Sequence, residues 1–267
     1  MTQARVLVVA GSDSGGGAGI QADIKTVTCL GGFAMTAVTA VTVQNTRGVS
    51  AVHAVPVEVV VGQMRACIDD IGVDVVKIGM LGEAALIEAV AEVVRGLDCP
   101  VVLDPVMVAT SGARLLEGEG LWALVEHLLP LADVVTPNVP ELMELSETEI
   151  EDAADMLLAA QELLERGPRA VLAKGGHLAG ERLTDWLVWR GGQRAFVEDR
   201  IDSRDTHGTG CTLASGVATG LAQGLTLADS VARARAFVRQ GLMRAPGFGG
   251  GRDMGFGGPM GFYPFDA

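Results

Sequence analysis

The amino-acid sequence predicts an α/β protein with a mostly parallel central sheet and helices on both faces. Short valine-rich runs alternate with segments of helical period along all 267 residues. Several of these runs are continuously apolar, which is typical of strands that are buried on both faces of a parallel sheet. A hydrophobic content of 49% is sufficient for one large core.

The first third of the chain begins with an apolar strand at Arg5–Ala10. A glycine-rich loop then leads into a helix at about Gly19–Leu30. Pro56 is typical of the first turn of a helix, and the amphipathic pattern behind it continues to about Ile71. Between these helices, β-branched residues predict two strands, Met35–Val43 and Val49–Val55.

The remainder of the chain repeats the alternation. Four buried parallel strands are predicted at Val73–Ile78, Val101–Leu103, Val134–Thr136 and Ala170–Lys174. Helical periods between and after them predict helices at about Glu83–Arg95, Gly120–Leu129, Glu149–Arg166, Thr209–Gln223 and Leu227–Met243. A hairpin of Leu183–Arg190 and Arg194–Glu198 is predicted to turn on Gly191-Gly192.

Composition excludes several functional classes. The net charge is −13, from 20 basic and 33 acidic residues, so binding to nucleic acid or to an anionic membrane is not expected. No apolar run reaches the roughly 18 residues of a membrane span. Four widely spaced cysteines without a CxxC pattern predict free thiols in a reducing cytoplasm. Only three of the 20 basic residues are lysine, so each lysine is less likely to be an ordinary exposed surface residue.

The most informative segment is the polar loop Asp202–Gly216, which runs into an apolar helical pattern. Gly208, Thr209 and Gly210 are predicted to begin that helix, where unpaired N–H groups and the helix dipole attract an anion. Cys211 falls in the first turn, where the same field is expected to lower the pKa of a thiol. This arrangement suits phosphoryl transfer to a hydroxyl, but a tight turn beside a small buried cysteine is also consistent with it.

Polar residues follow most of the predicted strands, at the edge of the sheet where ligands bind in parallel α/β proteins. Asp104 could hold hydrated magnesium together with Glu141, and Lys174 could reach a phosphate. Asn138 and Glu141 also fit a helix capping box, and both interpretations can hold. Gln44 offers an acceptor and two donors to a heteroaromatic edge, although an exposed strand end is the commoner explanation. Thr42 lies two residues earlier and points to the same side of the strand as Gln44. The alternative is that Thr42 is there only because β-branched residues are favoured in strands.

The glycine loop after the first strand has the sequence Gly11-Ser-Asp-Ser-Gly-Gly-Gly-Ala-Gly19. It lacks the Gly-Lys-Ser/Thr ending of a nucleotide-binding P-loop. A permissive dinucleotide fingerprint begins at Gly17, but no carboxylate follows at the distance that a ribose requires. We therefore expect a tight turn close to a ligand, with Asp13 or Asp23 adding polarity, although Asp23 also fits a solvated helix position.

These segments together resemble the ribokinase-like superfamily, and within it the hydroxymethylpyrimidine/phosphomethylpyrimidine kinases of thiamine biosynthesis. The matching motifs lie between residue 4 and about residue 243: Ala10–Thr26, Val43–Thr46, Lys77–Leu81, Asp104–Val108, Thr136–Leu142, Lys174–His177 and His207–Cys211. They occur in the family's order, which is far more specific than any one motif.

The resemblance implies ATP- and Mg²⁺-dependent phosphorylation of 4-amino-5-hydroxymethyl-2-methylpyrimidine and then of its monophosphate. It implies an anion hole of Gly208, Thr209 and Gly210, with Cys211 as base where most of the superfamily has aspartate. Lys174, with Thr209, would contact the nucleotide, and Asp104 and Glu141 would hold magnesium through water. The substrate pocket would comprise Gln44, Gly11, Asp23, Thr42 and Met80. The family is commonly dimeric, so a homodimer is expected.

Three features depart from the family pattern. Ser14-Gly15 stands where the family often has Pro-Ser, and Thr42 stands where an apolar residue is common. The Gly/Phe-rich tail at residues 246–267 has no match, so we divide the chain into a kinase domain at 1–245 and this tail. Five of the 11 aromatic residues fall in the tail, which favours an ordered coil packed on the body.

Two other functions remain open from the sequence. A pyridoxal or pyridoxine kinase of the same branch acts on a ring of similar size that also carries a hydroxymethyl group. A binding module that captures a pyrimidine or nucleotide without catalysis is the other alternative. Three features argue against such a module, because binding alone does not require them: the anion loop (Gly208–Gly210), Lys174 and Cys211.

Overall fold

The computed structural model describes residues 3–108, 112, 114–249 and 258–265, in which we find nine strands and eight α-helices. The strands are β1 (Arg5–Asp13), β2 (Phe33–Asn45), β3 (Gly48–Ala54), β4 (Val75–Ile78), β5 (Val101–Leu103), β6 (Val134–Val135), β7 (Ala170–Ala173), β8 (Arg182–Trp189) and β9 (Gly192–Asp199). The helices are α1 (Gly19–Cys29), α2 (Val57–Asp70), α3 (Ala84–Arg95), α4 (Glu119–Ala123), α5 (Val139–Ser146), α6 (Ala153–Glu165), α7 (Thr209–Ala222) and α8 (Leu227–Met243).

All nine strands join one sheet in the order β3-β2-β1-β4-β5-β6-β7-β8-β9. The pairs from β2 through β7 are parallel, whereas β3, β8 and β9 pair antiparallel with their neighbours. The predicted mostly parallel sheet is therefore confirmed. The chain passes from β1 outward to β2 and β3 and then returns to β4 on the other side of β1. This reversal creates the crevice at which ligands bind in open α/β sheets.

Side chains of successive strand residues enter two separate cores, one on each face of the sheet. In β1, Leu7 and Val9 pack with residues of α2 to α6, and Val6 and Val8 pack with residues of α1, α7 and α8. All four side chains are fully buried. Burial on both faces explains why the strand reads as a continuous apolar run rather than as an alternating one.

The helices between β5 and β7 differ from the prediction. The sequence reasoning recognised the cap of α5 but not the helix itself, which has only eight residues and ends at Glu147 with a φ of 61°. Asp152 caps α6, so that helix starts at Ala153 rather than near Glu149. The predicted helix at 120–129 begins as α4 but continues as π-helix over Leu124–Leu128 and as 3₁₀-helix over Leu129–Leu131. Pro130 lacks the N–H of a regular α-turn, which accounts for the changed hydrogen bonding.

Residues 258–265 of the glycine-rich tail lie against the body of the protein. Gly261 donates a backbone hydrogen bond to the carbonyl of Gly241 at 2.9 Å, and Phe265 donates to that of Cys29 at 3.2 Å. The Phe265 ring meets Phe237 edge to face. Residues 250–257 fall outside the described ranges, and the division of the chain at residue 245 stays a prediction.

The described helices include none with the length and apolar character that crossing a bilayer requires.

Substitution of Met260 tests the packing of the tail. Its side chain is 2% exposed, and we expect Met260→Ala to lower the free energy of unfolding by about 2–3 kcal/mol through a cavity. Met243 is 66% exposed, so Met243→Ala should change it by less than about 0.5 kcal/mol. Chemical denaturation of both variants measures the difference. Equal values for the two would contradict a packed tail.

Candidate active site

The residues that follow the parallel strands meet at one edge of the sheet. Because β1, β4, β5, β6 and β7 are adjacent and parallel, their carboxyl ends lie side by side. Thr136 after β6 donates to Asp104 after β5 at 3.0 Å, and Lys174 after β7 donates to the same carboxylate oxygen at 3.0 Å. At the crevice between β1 and β4, a Cβ atom placed on Gly11 would lie 3.1 Å from the sulfur of Met80. The predicted convergence of polar motifs is therefore present.

The loop Gly208–Gly210 forms the amino terminus of α7, as predicted. Gly208 caps the helix with a φ of 85°, a left-handed conformation that favours glycine. A Cβ atom there would collide with the carbonyl oxygen of Gly17, so the loop is packed directly on the glycine loop that follows β1. Two glycine segments about 190 residues apart thus form one wall of the site.

Lys174 extends to this helix terminus from the end of β7. A Cβ atom on Gly210 would lie 3.3 Å from Lys174 Nζ, so the ammonium group stands beside the first turn of α7. A cation at a helix amino terminus opposes the helix dipole, which favours negative charge at that end. Two positive features at one point are the arrangement that an anion would require.

Two buried carboxylates balance the charge of Lys174. Its Nζ lies 3.0 Å from Asp104 and 3.9 Å from Glu141, and these carboxylate side chains are 3% and 7% exposed. Burial acts to raise the pKa of Asp104, but Lys174 and Lys77 outweigh it and keep that pKa below its ordinary value. Burial raises the pKa of Glu141 to about 7, and the nearby charge of Asp104 adds to the effect. A carboxyl group that carries its proton near neutrality is a group whose ionisation a bound cation would favour.

Asn138 and Glu141 form the capping box that the sequence allowed. Each donates its backbone N–H to the other's side chain, at distances of 2.8 and 3.0 Å. Within the described ranges no cluster of three or more His, Cys, Asp or Glu side chains could hold a metal. Magnesium usually keeps several waters and needs only one or two carboxylates with phosphate oxygens. Asp104 and Glu141 fit that requirement.

Asp23 does not occupy the solvated helix position that the sequence also allowed, and its place in the substrate pocket stays a prediction. Its side chain is fully buried and accepts hydrogen bonds from Lys77 Nζ at 3.0 and 3.1 Å and from Ser215 at 2.6 Å. The carboxylate is thus engaged beneath the site by a lysine that is itself fully buried. Such a pair is very costly to break, because removal of either partner leaves an uncompensated buried charge.

The expected lowering of the pKa of Cys211 is wrong. The residue keeps part of its surface accessible, yet protein atoms enclose the thiol closely enough that burial raises its pKa to about 12. Lys77 acts in the opposite direction, whereas Asp23 and Asp104 raise the pKa further. The helix terminus cannot offset burial among carboxylates. Cys211 therefore carries its proton at neutral pH in this structure.

Gln44 and Thr42 face the same side of β2, as predicted. Gln44 Oε1 lies 3.2 Å from Thr42 Oγ1, which also donates to the Ser12 carbonyl at 2.9 Å. Thr42 is only 5% exposed and lies beneath the half-buried Gln44. On its other side Gln44 approaches His207, whose Nε2 lies 3.0 Å from a carboxylate oxygen of Asp13.

Sequence reasoning gave no role to Lys77 or His207 and expected Asp13 only to add polarity near a ligand, whereas the structure brings all three into the site. Lys77 and Lys174 are two of only three lysines, and that scarcity was the signal that pointed to both. Asp13 accepts backbone hydrogen bonds from Gly15, Gly17 and Ala18, and so ties the glycine loop together. No local pattern indicated its contact with His207, because the two residues are 194 positions apart.

Comparison with known proteins identifies the family to which the chain is similar. The phosphomethylpyrimidine kinase family matches residues 13–255. The chain is 47% identical to the hydroxymethylpyrimidine/phosphomethylpyrimidine kinase of Streptomyces coelicolor over 252 residues, which cover 94% of this chain and 93% of that protein. It is 49% identical to the thiamine biosynthesis bifunctional protein ThiED of Geobacter sulfurreducens over 247 residues, which cover 92% of this chain and 50% of that one.

Among solved structures, the chain is similar to the pyridoxal kinase from Staphylococcus aureus in complex with AMP-PCP. The TM-score is 0.90 at 31% sequence identity, and the match covers 100% of this chain and 96% of that one. The ribokinase-like fold that the sequence predicted is thereby confirmed.

Two glycines of similar backbone conformation offer a matched test of the wall between the loops. Gly208 and Gly224 have φ values of 85° and 81°, but only Gly208 faces the Gly17 carbonyl, while Gly224 faces open space. We expect Gly224→Ala to lower the free energy of unfolding by about 1–2 kcal/mol through backbone strain alone. Gly208→Ala should lower it by about 4 kcal/mol or more, because the two loops must separate. Equal losses in thermal or urea unfolding would refute the close approach.

Proposed function

This chain belongs to the phosphomethylpyrimidine kinase family, and we propose that it transfers phosphate from ATP to 4-amino-5-hydroxymethyl-2-methylpyrimidine and then to its monophosphate. The product of the second transfer is the diphosphate used in thiamine biosynthesis. The observation that carries the proposal is the position of Lys174 Nζ beside the first turn of α7, 3.3 Å from where a Cβ of Gly210 would stand. The proposal includes a cytoplasmic location and a homodimeric state for the protein.

The anion site supports the transfer step. Phosphoryl transfer passes through a loose transition state in which charge spreads over the equatorial oxygens, so catalysis consists mainly of positioning and charge stabilisation. The N–H groups of Gly208, Thr209 and Gly210 would bind the transferring group, and Lys174 would neutralise it from the side. Thr209 and Lys174 would also contact the nucleotide.

Asp104 and Glu141 would hold magnesium through water at the same edge of the sheet. Magnesium supplies neutralising charge to the phosphate oxygens when it is bound. Lys174 already holds Asp104 in its ionised form. Glu141, with a pKa of about 7, would gain its full charge when a cation is present.

The pyrimidine ring would lie in the crevice between β1 and β4. Gln44 would contact its amino edge, while Gly11 and Met80 would bound the ring. Asp23 and Thr42 would act from beneath the ring. The side chain of Asp23 already bonds to Lys77, and that of Thr42 bonds to Ser12 and Gln44. The acidic surface charge of the chain makes local groups, rather than long-range attraction, responsible for holding the anionic monophosphate.

Cys211 would lie beside the substrate hydroxyl. The transfer forms a bond from the hydroxyl oxygen to the γ-phosphorus and breaks the bond from that phosphorus to the bridging oxygen, and the hydroxyl proton is released. A thiol of pKa about 12 does not accept this proton in the resting state. The base role therefore requires the thiol to release its own proton to solvent when the ligands bind, with Lys77 supplying the favourable charge, so that the thiolate can take the hydroxyl proton.

A second candidate function is the phosphorylation of pyridoxal. The TM-score of 0.90 against a pyridoxal kinase favours it, because the overall backbone is closely shared. An aminopyrimidine and pyridoxal present different polar edges to Gln44, so the substrate decides between the two functions.

Release of ADP measures this directly with ATP·Mg²⁺ and each alcohol in turn. We expect turnover of hydroxymethylpyrimidine and of its monophosphate. The value of kcat/KM for pyridoxal should be lower by a factor of about ten or more, because pyridoxal lacks the amino group. A preference for pyridoxal would replace the proposed substrate but keep the anion site. No turnover of any of the three would contradict the proposed activity.

Substitution of Cys211 separates proton transfer from binding. Cys211→Ala should lower kcat by about 10- to 100-fold, because base catalysis matters less in a loose transition state, while ATP affinity changes less than about threefold. Cys211→Asp provides the matched control, since aspartate can take the proton and should recover part of the turnover. Undiminished turnover in Cys211→Ala would remove the thiol from the mechanism.

A further inference from the structure

The amide of Gln44 stands between two fixed partners. Its Oε1 lies 3.2 Å from Thr42 Oγ1, and its Nε2 lies 3.4 Å from His207 Nε2. Each partner makes a further hydrogen bond through the same atom, and that bond determines which role is left for the amide. Thr42 Oγ1 donates to the Ser12 carbonyl, and His207 Nε2 contacts the carboxylate of Asp13.

The proton of His207 Nε2 is determined by Asp13. Burial acts to raise the pKa of this carboxyl, but the bond to His207 and those from the backbone N–H groups of Ala18 and Gly15 outweigh it, and the pKa lies below its ordinary value. Asp13 is therefore an ionised acceptor at neutral pH, and His207 Nε2 must donate to it. The nitrogen of Gln44 then faces a second donor.

The proton of Thr42 is determined in the same way. A hydroxyl has one hydrogen, and the carbonyl of Ser12 accepts it at 2.9 Å, so Thr42 Oγ1 can only accept from Gln44. The oxygen of Gln44 faces this acceptor. A half-turn of the amide would place its nitrogen against Thr42, which can accept, and its oxygen against His207 Nε2, whose single hydrogen Asp13 and Gln44 would then share. In that orientation no donor faces a donor and no acceptor faces an acceptor.

We propose that His207, held by Asp13, is a positioning residue that keeps the Gln44 amide in this half-turned orientation and thereby fixes which way round the substrate ring lies. The proposal rests on the proposed function in one respect, namely that Gln44 contacts the aminopyrimidine edge. The outer edge of the amide then offers an acceptor on the His207 side and a donor on the Thr42 side.

The order of these two groups has a chemical consequence. An aminopyrimidine presents an amino donor beside a ring-nitrogen acceptor, and a glutamine amide binds such an edge with two hydrogen bonds, as with adenine. The amino group must lie on the His207 side, where the amide oxygen is. In 4-amino-5-hydroxymethyl-2-methylpyrimidine the hydroxymethyl carbon is next to the amino-bearing carbon, so it also lies on that side. His207 immediately precedes Gly208, and the hydroxyl is therefore directed toward the anion loop.

The opposite orientation would reverse the ring. Its nitrogen would face His207, and the hydroxymethyl group would point toward Thr42 and away from α7. Such a complex would bind nearly as well but would not react. Loss of His207 should thus affect turnover more than affinity, whereas loss of Gln44 should affect affinity.

The orientation can be measured without activity. Nuclear Overhauser contacts from the Gln44 Nε2 protons, assigned by their loss in Gln44→Leu, should reach the Thr42 side chain in the ligand-free protein. In His207→Phe, which keeps a ring without the N–H donor, we expect contacts to both sides as the amide rotates. Contacts from Nε2 to the His207 ring in the wild type would overturn the proposal.

Kinetics test the consequence. His207→Phe should lower kcat for hydroxymethylpyrimidine by about five- to tenfold, the factor of one lost hydrogen bond, with ring affinity by calorimetry changed less than about threefold. His207→Gln should recover much of the loss, because its amide can donate, and His53→Phe on the exposed β3 should match the wild type. If the wild type phosphorylates no pyrimidine, the proposed function fails, while the Overhauser contacts still decide the orientation.

Thr42→Val tests the other end of the network and covers the case in which His207→Phe does not fold. It removes the Oγ1 acceptor at constant shape, and we expect the same fall in kcat with little change in affinity. Thr26→Val is the matched control, since Thr26 is buried in α1 and bonds only within its helix, to the Ala22 carbonyl. A fall in affinity with kcat unchanged would show that Thr42 acts only as support, and would contradict the proposal.

Discussion

The electrostatic conflict at the amino terminus of α7 is the constraint on which the site depends. A lysine and a helix dipole of the same sign meet there, and the protein accommodates them only by burying Asp104 and Glu141 beside the ammonium group. Each group comes from a different place along the sheet edge: Lys174 follows β7, Asp104 follows β5, and Glu141 lies in the first turn of α5, which follows β6. The strand order β5-β6-β7 is therefore needed for charge balance as much as for packing.

A second buried pair extends this balance under the site. Lys77 and Asp23 bind each other with no solvent access, and Ser215 of α7 donates to the same carboxylate. The pair joins β4, α1 and α7 below the thiol of Cys211. The first half of α7 in this chain thus rests on a layer of compensated charge.

The fold class was predictable because its signals are local. Valine-rich runs and helical periods indicate their own structure, and polar residues such as Asp104 and Lys174 were found because they directly follow buried strands. Properties that depend on distant partners were not predictable. Burial is the main cause of the raised pKa of Cys211, and Asp23 and Asp104, which are far away in sequence, add to it. The bond between Asp23 and Lys77 was not predicted, because the two residues are 54 positions apart. The short helix α5 was missed because eight residues give too little periodicity.

The state of the four thiols has a consequence for chemical durability. Burial raises the pKa of Cys29, Cys67, Cys99 and Cys211, the last two to about 11 and about 12. Peroxide and alkylating reagents attack the thiolate, which is scarce in all four. Cys211 is thus a poor target for covalent inhibitors despite its position in the site. Compounds directed at this kinase would gain more from the polar edge of Gln44 and the anion loop than from a thiol-reactive group.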